Sequence, residues 1–180
     1  MHATSRAPLL GADHPVQAYS GSGFAEFRQV LGCNDYAEAC RINQAITGRK
    51  LSRQSWNILP RIAEVDTLIQ ALPDRRKLRE MHPELGFMGL NGGVPMAHSK
   101  KTQAGHQERL RILQRYRPDA EAICQSLRAA WPKRELANDD IHDALVGAVI
   151  ASLKDRHRQV PEQPETDTKG LPMEILYAAI

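Results

Sequence analysis

The residues whose types and spacing could do chemistry gather in one phrase, Asn138-Asp139-Asp140-Ile141-His142-Asp143. An apolar run, residues 144–151, follows it. A helix that is apolar all round belongs in a protein interior, yet three carboxylates stand at the head of this one. Asn138 is a good N-cap, and Asp139 and Asp140 then fall in the first turn, where the helix dipole favours negative charge. Asp143 is not explained that way. It lies three residues from Asp140 and four from Asp139, so it shares a face with both. Like charges on one face repel, and a carboxylate inside a protein is costly unless a cation meets it. Two readings stay open. Either Asp143 pairs with an arginine in a purely structural arrangement, or a divalent metal gathers the acids.

Two further phrases carry candidate chemistry. Glu84 follows His82-Pro83, just past a segment that reads as a short strand. The C-terminal edge of a sheet is where α/β proteins build sites, but an acid behind a helix-starting proline is also common for structural reasons. Ser99-Lys100-Lys101-Thr102 places two ammonium groups between hydroxyls with Gly105 beyond, a pattern able to hold a phosphate. Most lysine pairs are simply solvated.

The elements that must position these residues follow from periodicity. Residues 16–19 read as a strand and 24–31 as a short helix. A helix opened by Asp35 ends at Gly48, and a long one from Ser52 to Leu72 carries Pro60, which predicts a kink or break there. Residues 78–82 read as a strand, and 85–90 as a short amphipathic piece. Two helices follow, over 103–116 and 119–131; in the first, Leu110 and Leu113 point inward while Arg109, Arg111, Arg115 and Arg117 point outward. After the acid-headed helix comes a polar loop over 159–170, then a final strand over 171–177 that Pro172 confines to a sheet edge. About six helices and three strands make a helix-rich α/β chain whose sheet looks incomplete.

Length and composition bound the class. At 180 residues the chain suits one domain spanning 1–180. A net charge of +3 permits nucleic-acid binding without arguing for it. Aromatic residues at 5% are few for a base-stacking surface. Cys33, Cys40 and Cys124 form no C-x-x-C pair and read as reduced thiols of a cytoplasmic protein. No apolar run is long enough for a membrane span, and the N-terminal segment lacks the apolar core of a secretion signal.

Several phrases in order resemble one family. They are Thr47-Gly48-Arg-Lys-Leu-Ser52-Arg-Gln54-Ser-Trp56, Ile62-Ala-Glu64-Val-Asp66, Glu80-Met-His82-Pro83-Glu84-Leu-Gly-Phe87, Leu90-Asn91-Gly92-Gly93, Ser99-Lys100-Lys101-Thr102, Asp139-Asp140-Ile-His-Asp143-Ala144-Leu145 and Gly170-Leu-Pro-Met173-Glu174-Ile175. The pattern is similar to domain of unknown function 429, a widespread bacterial family described as predicted nucleases with an RNase H-like fold. The resemblance implies an α/β, RNase H-like domain hydrolysing phosphodiesters with Mg²⁺ or Mn²⁺. Two ions would clamp the attacking and leaving oxygens at a phosphate. It further implies Glu84, Asp140 and Asp143 as metal-binding and catalytic acids, with Lys100 and Lys101 on substrate phosphate. Asp139 would cap the helix. The family's opening strand with its Asp, and a later Asp-x-Pro-Ile-Gly phrase, do not occur here. The expectation is therefore a C-terminal portion of the domain, with about the first third absent. Such a chain is either a nuclease, active or not, or a non-catalytic interaction or nucleic-acid-binding module. A homo-oligomer could complete its sheet.

Overall fold

In the computed structural model, residues 28–180 are described; the strand expected over 16–19 and the first half of the helix expected over 24–31 lie outside them, while residues 28–31 are helical as expected. Beyond these, the described residues show six α-helices, two 3-10 turns and one two-stranded sheet, a helix-rich α/β fold. They fall into two compact units.

The first unit comprises residues 28–79 and 163–174. Helix α1, Tyr36–Thr47, starts where the Asp35 carboxylate accepts the Glu38 N–H, and it stops at Gly48 in the left-handed conformation at φ 73°. Helix α2, Arg53–Ala71, is capped by Ser52, whose hydroxyl accepts from the Ser55 N–H. The expected break at Pro60 does not occur, and one helix runs through it. The proline removes a single donor from a helix long enough to hold its other bonds. Val30, Ala39, Cys40, Leu51 and Leu59 form the core, with Tyr36 and Trp56 packed edge to face at 5.8 Å. Arg28 is held by both Asp66 and Asp167.

The second unit comprises Glu80–Glu162 and Ile175–Ile180. It contains α3 (Pro83–Leu90), α4 (Gln103–Gln114), α5 (Ala120–Ala130), α6 (Asn138–Ser152), β1 (His157–Val160) and β2 (Ile175–Ala178). The strands pair antiparallel, with His157 opposite Ala178 and Val160 opposite Ile175. Phe87 and Leu90 of α3, Ile112 and Leu113 of α4, Val146, Val149 and Ile150 of α6, and Leu176 of β2 share one core.

Several expectations change here. The strand over 78–82 shrinks to one parallel bridge between Met81 and Leu176, because Pro83 ends any ladder and Leu78 is exposed. The last strand begins at Ile175 rather than 171, after Pro172, and strand β1 reaches one residue past the expected start of the polar loop. Helix α6 is not buried all round, since Ala144, Ala148 and Ala151 are exposed. Alanine is a strong helix former and loses little by facing water.

Helix α3 lies so close to β2 that a Cβ built on Gly89 would stand 2.2 Å from the Ala178 carbonyl oxygen. No side-chain rotation relieves a clash with backbone. Gly89→Ala is therefore expected to destabilise the protein by about 2 kcal/mol or more, read by chemical denaturation. A Gly32→Ala control, where nothing lies within 4 Å, should change little.

Candidate functional site

Three helix starts in the second unit, those of α3, α4 and α6, and the loop over residues 95–102 bring the candidate residues together. Pro83 occupies the first turn of α3, where its missing N–H costs nothing, and Glu84 follows in the same turn. Thr102 caps α4: its hydroxyl accepts from Gly105 N at 3.1 Å and donates to Ser99 O at 2.8 Å.

Arg109 of α4 sets the geometry. It is only 2% exposed, against the outward direction expected for it. Its guanidinium has five N–H groups. Nε and Nη2 donate to the Glu84 carboxylate at 3.1, 2.8 and 2.6 Å, and Nη1 donates to the carbonyls of His98 and Gly105, each at 3.0 Å. Its neighbour Glu108 accepts the N–H groups of Ala97 at 2.8 Å and His98 at 3.0 Å. The Ala97 N–H, with that of His98, holds the Glu108 carboxyl below its ordinary pKa. One acid and one base, adjacent in sequence, thus grip donors and acceptors of the same loop. Gly105 completes the fit, because a Cβ there would meet Ser99 O at 2.0 Å.

The gripped loop delivers its lysines onto α6. Lys100 Nζ lies 2.8 Å from Asp143 Oδ2 and 3.8 Å from Asp139 Oδ2, and Lys101 Nζ lies 2.6 Å from Asp139 Oδ2. The hydrogen bond to Asp143 raises the Lys100 pKa, and the bond from Lys101 lowers that of Asp139. The other oxygen of Asp143, Oδ1, is buried and has no hydrogen-bond partner among the described residues. Behind these pairs the rings of His106 and His142 meet edge to face at 5.5 Å. A cleft of about 360 Å³ opens between Glu84, Met96, His98, Ser99, Lys100 and Arg109.

The structure therefore pairs Lys100 with Asp143 and, more distantly, with Asp139, whereas Lys101 pairs with Asp139. Glu84 borders the cleft with Lys100 but is bound by Arg109. Asp140 is exposed and turned back, its Oδ2 accepting the Ala137 N–H at 3.0 Å. The capping expectations are thereby corrected. Ala137, in extended conformation, holds the cap position assigned to Asn138, and Asp140 does the capping work assigned to Asp139. Asp139 is buried and takes the lysine instead. The partner of Asp143 is a lysine, not an arginine. Among the described residues, no group of three or more His, Cys, Asp or Glu side chains is arranged to hold a metal. The unmatched Oδ1 of Asp143 is a spare oxygen acceptor one turn from the Asp139 carboxylate, but these two acids, already facing ammonium groups, fall short of a metal-binding group by themselves.

The profile of a family described as protein of unknown function (DUF429) matches residues 19–166. This chain belongs to that family. No curated protein and no solved structure matches. For this DUF429 member, the geometry itself has to carry the functional reading.

Periodicity could have exposed Arg109, since Gly105, Arg109 and Ile112 follow at helical spacing on the buried face of α4. Nothing in the sequence marked Glu108, or paired His106 with His142.

Two outcomes follow. Glu84→Ala would strand the buried Arg109 guanidinium, so it should destabilise this DUF429 chain by about 3 kcal/mol although Glu84 itself is partly exposed. Chemical denaturation reads the difference. Burial, with the positive charge of His106 and Arg109, pushes the His142 pKa down to about 4. An unfolded histidine titrates near 6.5, so between these values only the unfolded chain binds the proton. The contribution of His142 is complete above about pH 6.5 and fades as pH falls toward about 4, by roughly 3 kcal/mol in all. Stability measured across that window should fall less steeply in His142→Gln than in the wild type.

Proposed function

We propose that this DUF429 chain is a metal-dependent phosphodiester hydrolase of RNase H-like type, acting on nucleic acid with Mg²⁺ or Mn²⁺. The observation that carries the reading is the buried, unpartnered Oδ1 of Asp143. An unmatched buried acceptor costs about 1–3 kcal/mol. A carboxylate held at the head of α6, against two lysines, is a place where that cost serves chemistry.

Each residue has a part. Asp143 and Asp139, on successive turns of one helix face, are the residues that would hold the cation. When bound, the ion would activate a water and neutralise charge on phosphate oxygens. Lys100 and Lys101 bring ammonium groups to the non-reacting phosphate oxygens, the contact that carries most nucleic-acid affinity. Glu84 lies across the cleft from Lys100 with its carboxylate aimed by Arg109, and serves as the auxiliary acid. Asp140, committed to the Ala137 N–H, supports the turn that carries Asp139.

Other basic residues are exposed as well, among them Arg76, Lys77, Arg111 and Arg115, while Arg117 pairs with Asp119 and Arg109 is buried. One observation favours a second reading, a non-catalytic interaction module: both α6 carboxylates already have ammonium partners.

The purified chain is tested with Mn²⁺ on RNA, single-stranded DNA and branched DNA. Hydrolysis is expected for at least one substrate and should be abolished by chelation. Asp143→Asn, which removes a direct ligand's charge, should lower it by about 100-fold or more, since even an outer partner can cost a metal site that much. Equal activity in Asp143→Asn removes Asp143 from the site, and absence of Mn²⁺-dependent hydrolysis on all three substrates leaves the interaction module.

A further inference from the structure

We infer that two copies of this chain associate through helix α2, antiparallel about a two-fold axis, the exposed face of one helix laid on the same face of the other. The contact is made by helices rather than by sheet edges, and it is independent of the hydrolase reading.

Helix α2 has 19 residues and buries only Leu59 among the described residues. A helix of that length, about 28 Å, draws most of its stability from packing an apolar face against something. Leu59 and Trp56 point into the core of the first unit. The opposite side carries Ile58 and Val65, each 50% exposed, and Leu68, 53% exposed. Half-buried Ile62 and Ile69 lie beside them. These five fall at helical spacing, so they form one stripe rather than scattered apolar residues.

The charges of α2 decide what fits that stripe. Arg53 stacks on the Tyr36 ring at 3.7 Å and Asp66 holds Arg28, so both are committed within the chain. Arg61 and Glu64 stand on one rim of the stripe, 80% and 63% exposed, paired with each other. An exposed pair of this kind contributes little to the chain itself. A two-fold axis between residues 62 and 63 reverses one helix on the other and keeps like rims on the same side. Each Arg61 then comes level with the partner's Glu64. Ile58 comes beside the partner's Leu68, and both Val65 side chains close near the axis. A wholly acidic or wholly basic partner would leave one of the two rim charges unmatched, whereas a second copy matches both.

Sedimentation velocity of the full chain over a broad concentration range reads the assembly, and wild type is expected to dimerise. Val65→Glu places a carboxylate near the axis in both copies and should weaken the dimer by at least about tenfold. Val65 is half exposed, so circular dichroism should show the same helix content in this variant. Arg61→Glu and Glu64→Arg should each weaken the dimer about fivefold, because like charges then face each other. The double variant Arg61→Glu with Glu64→Arg should recover wild-type association. An equimolar mixture of the two single variants should associate more tightly than either alone. Mixing changes nothing within one chain, so its gain reports contact between copies. Wild type that stays monomeric throughout overturns the proposal and leaves the stripe to another occupant. A dimer that Val65→Glu leaves intact overturns this face, and a mixture no tighter than its components overturns the antiparallel register.

Discussion

The site depends on a guanidinium with nothing left to give. Every N–H of Arg109 is spent, three contacts on Glu84 and two on backbone carbonyls. A buried ion pair is weak evidence for stability, because desolvating both charges offsets most of their attraction. What it supplies is one arrangement. The planar fork can satisfy itself only if the α3 turn, the first turn of α4 and the loop at His98 all stand where they do. Glu108 adds the matching acceptor for the loop's N–H groups. The lysines that follow in sequence are then delivered to α6 by backbone that has no other low-energy path.

The charges beyond that clamp are of a different kind. Lys101 is mostly solvated, and exposed pairs of this sort stabilise by about 0–1 kcal/mol. Lys100 is more enclosed, and Asp139 is nearly buried, so their attraction is screened less. The molecule thus couples a rigid, saturated pair to a looser network beside it. The first fixes where the ammonium groups originate; the second is the more exposed of the two.

The elements with strong local signals were legible in the sequence. Caps at Asp35, Ser52 and Thr102, and the glycine stop at Gly48, rest on hydrogen bonds within a few residues, and the structure has each of them. Asp143, Lys100 and Lys101 were also singled out in the sequence, with the lysines expected on phosphate; Lys100 meets Asp143, and Lys101 meets Asp139. The losses lie where tertiary context overrides a local rule. Asn138 is the better capping residue, but Asp140 reaches back to Ala137 and the helix starts one residue earlier. Strand β1, His-Arg-Gln-Val, has too few apolar residues to announce itself, and pairs because β2 lies beside it. Arg109 was placed outward because arginines are usually solvated. Only the carboxylate of Glu84, distant in sequence, makes its burial tolerable.

The helix itself also decides how much each of the three acids needs a counter-charge. A carboxylate in the first turn of a helix is already favoured by the dipole, so it needs little from a counter-ion. Asp140 is such a group, and it is exposed and tied to backbone. Asp143 lies beyond that first turn, where the dipole helps less and burial costs more. Asp139 is shared: dipole-assisted, but buried. Burial and ammonium contact are both greatest at Asp139, whose side chain is 8% exposed against 21% for Asp143, and least at Asp140. Asp140 has none, Asp139 has a solvated lysine at close range, and Asp143 has the enclosed one. Even so, Lys100 satisfies one oxygen of Asp143 and leaves Oδ1 without a partner among the described residues. A single ammonium on that carboxylate answers its charge but not its full capacity to accept hydrogen bonds.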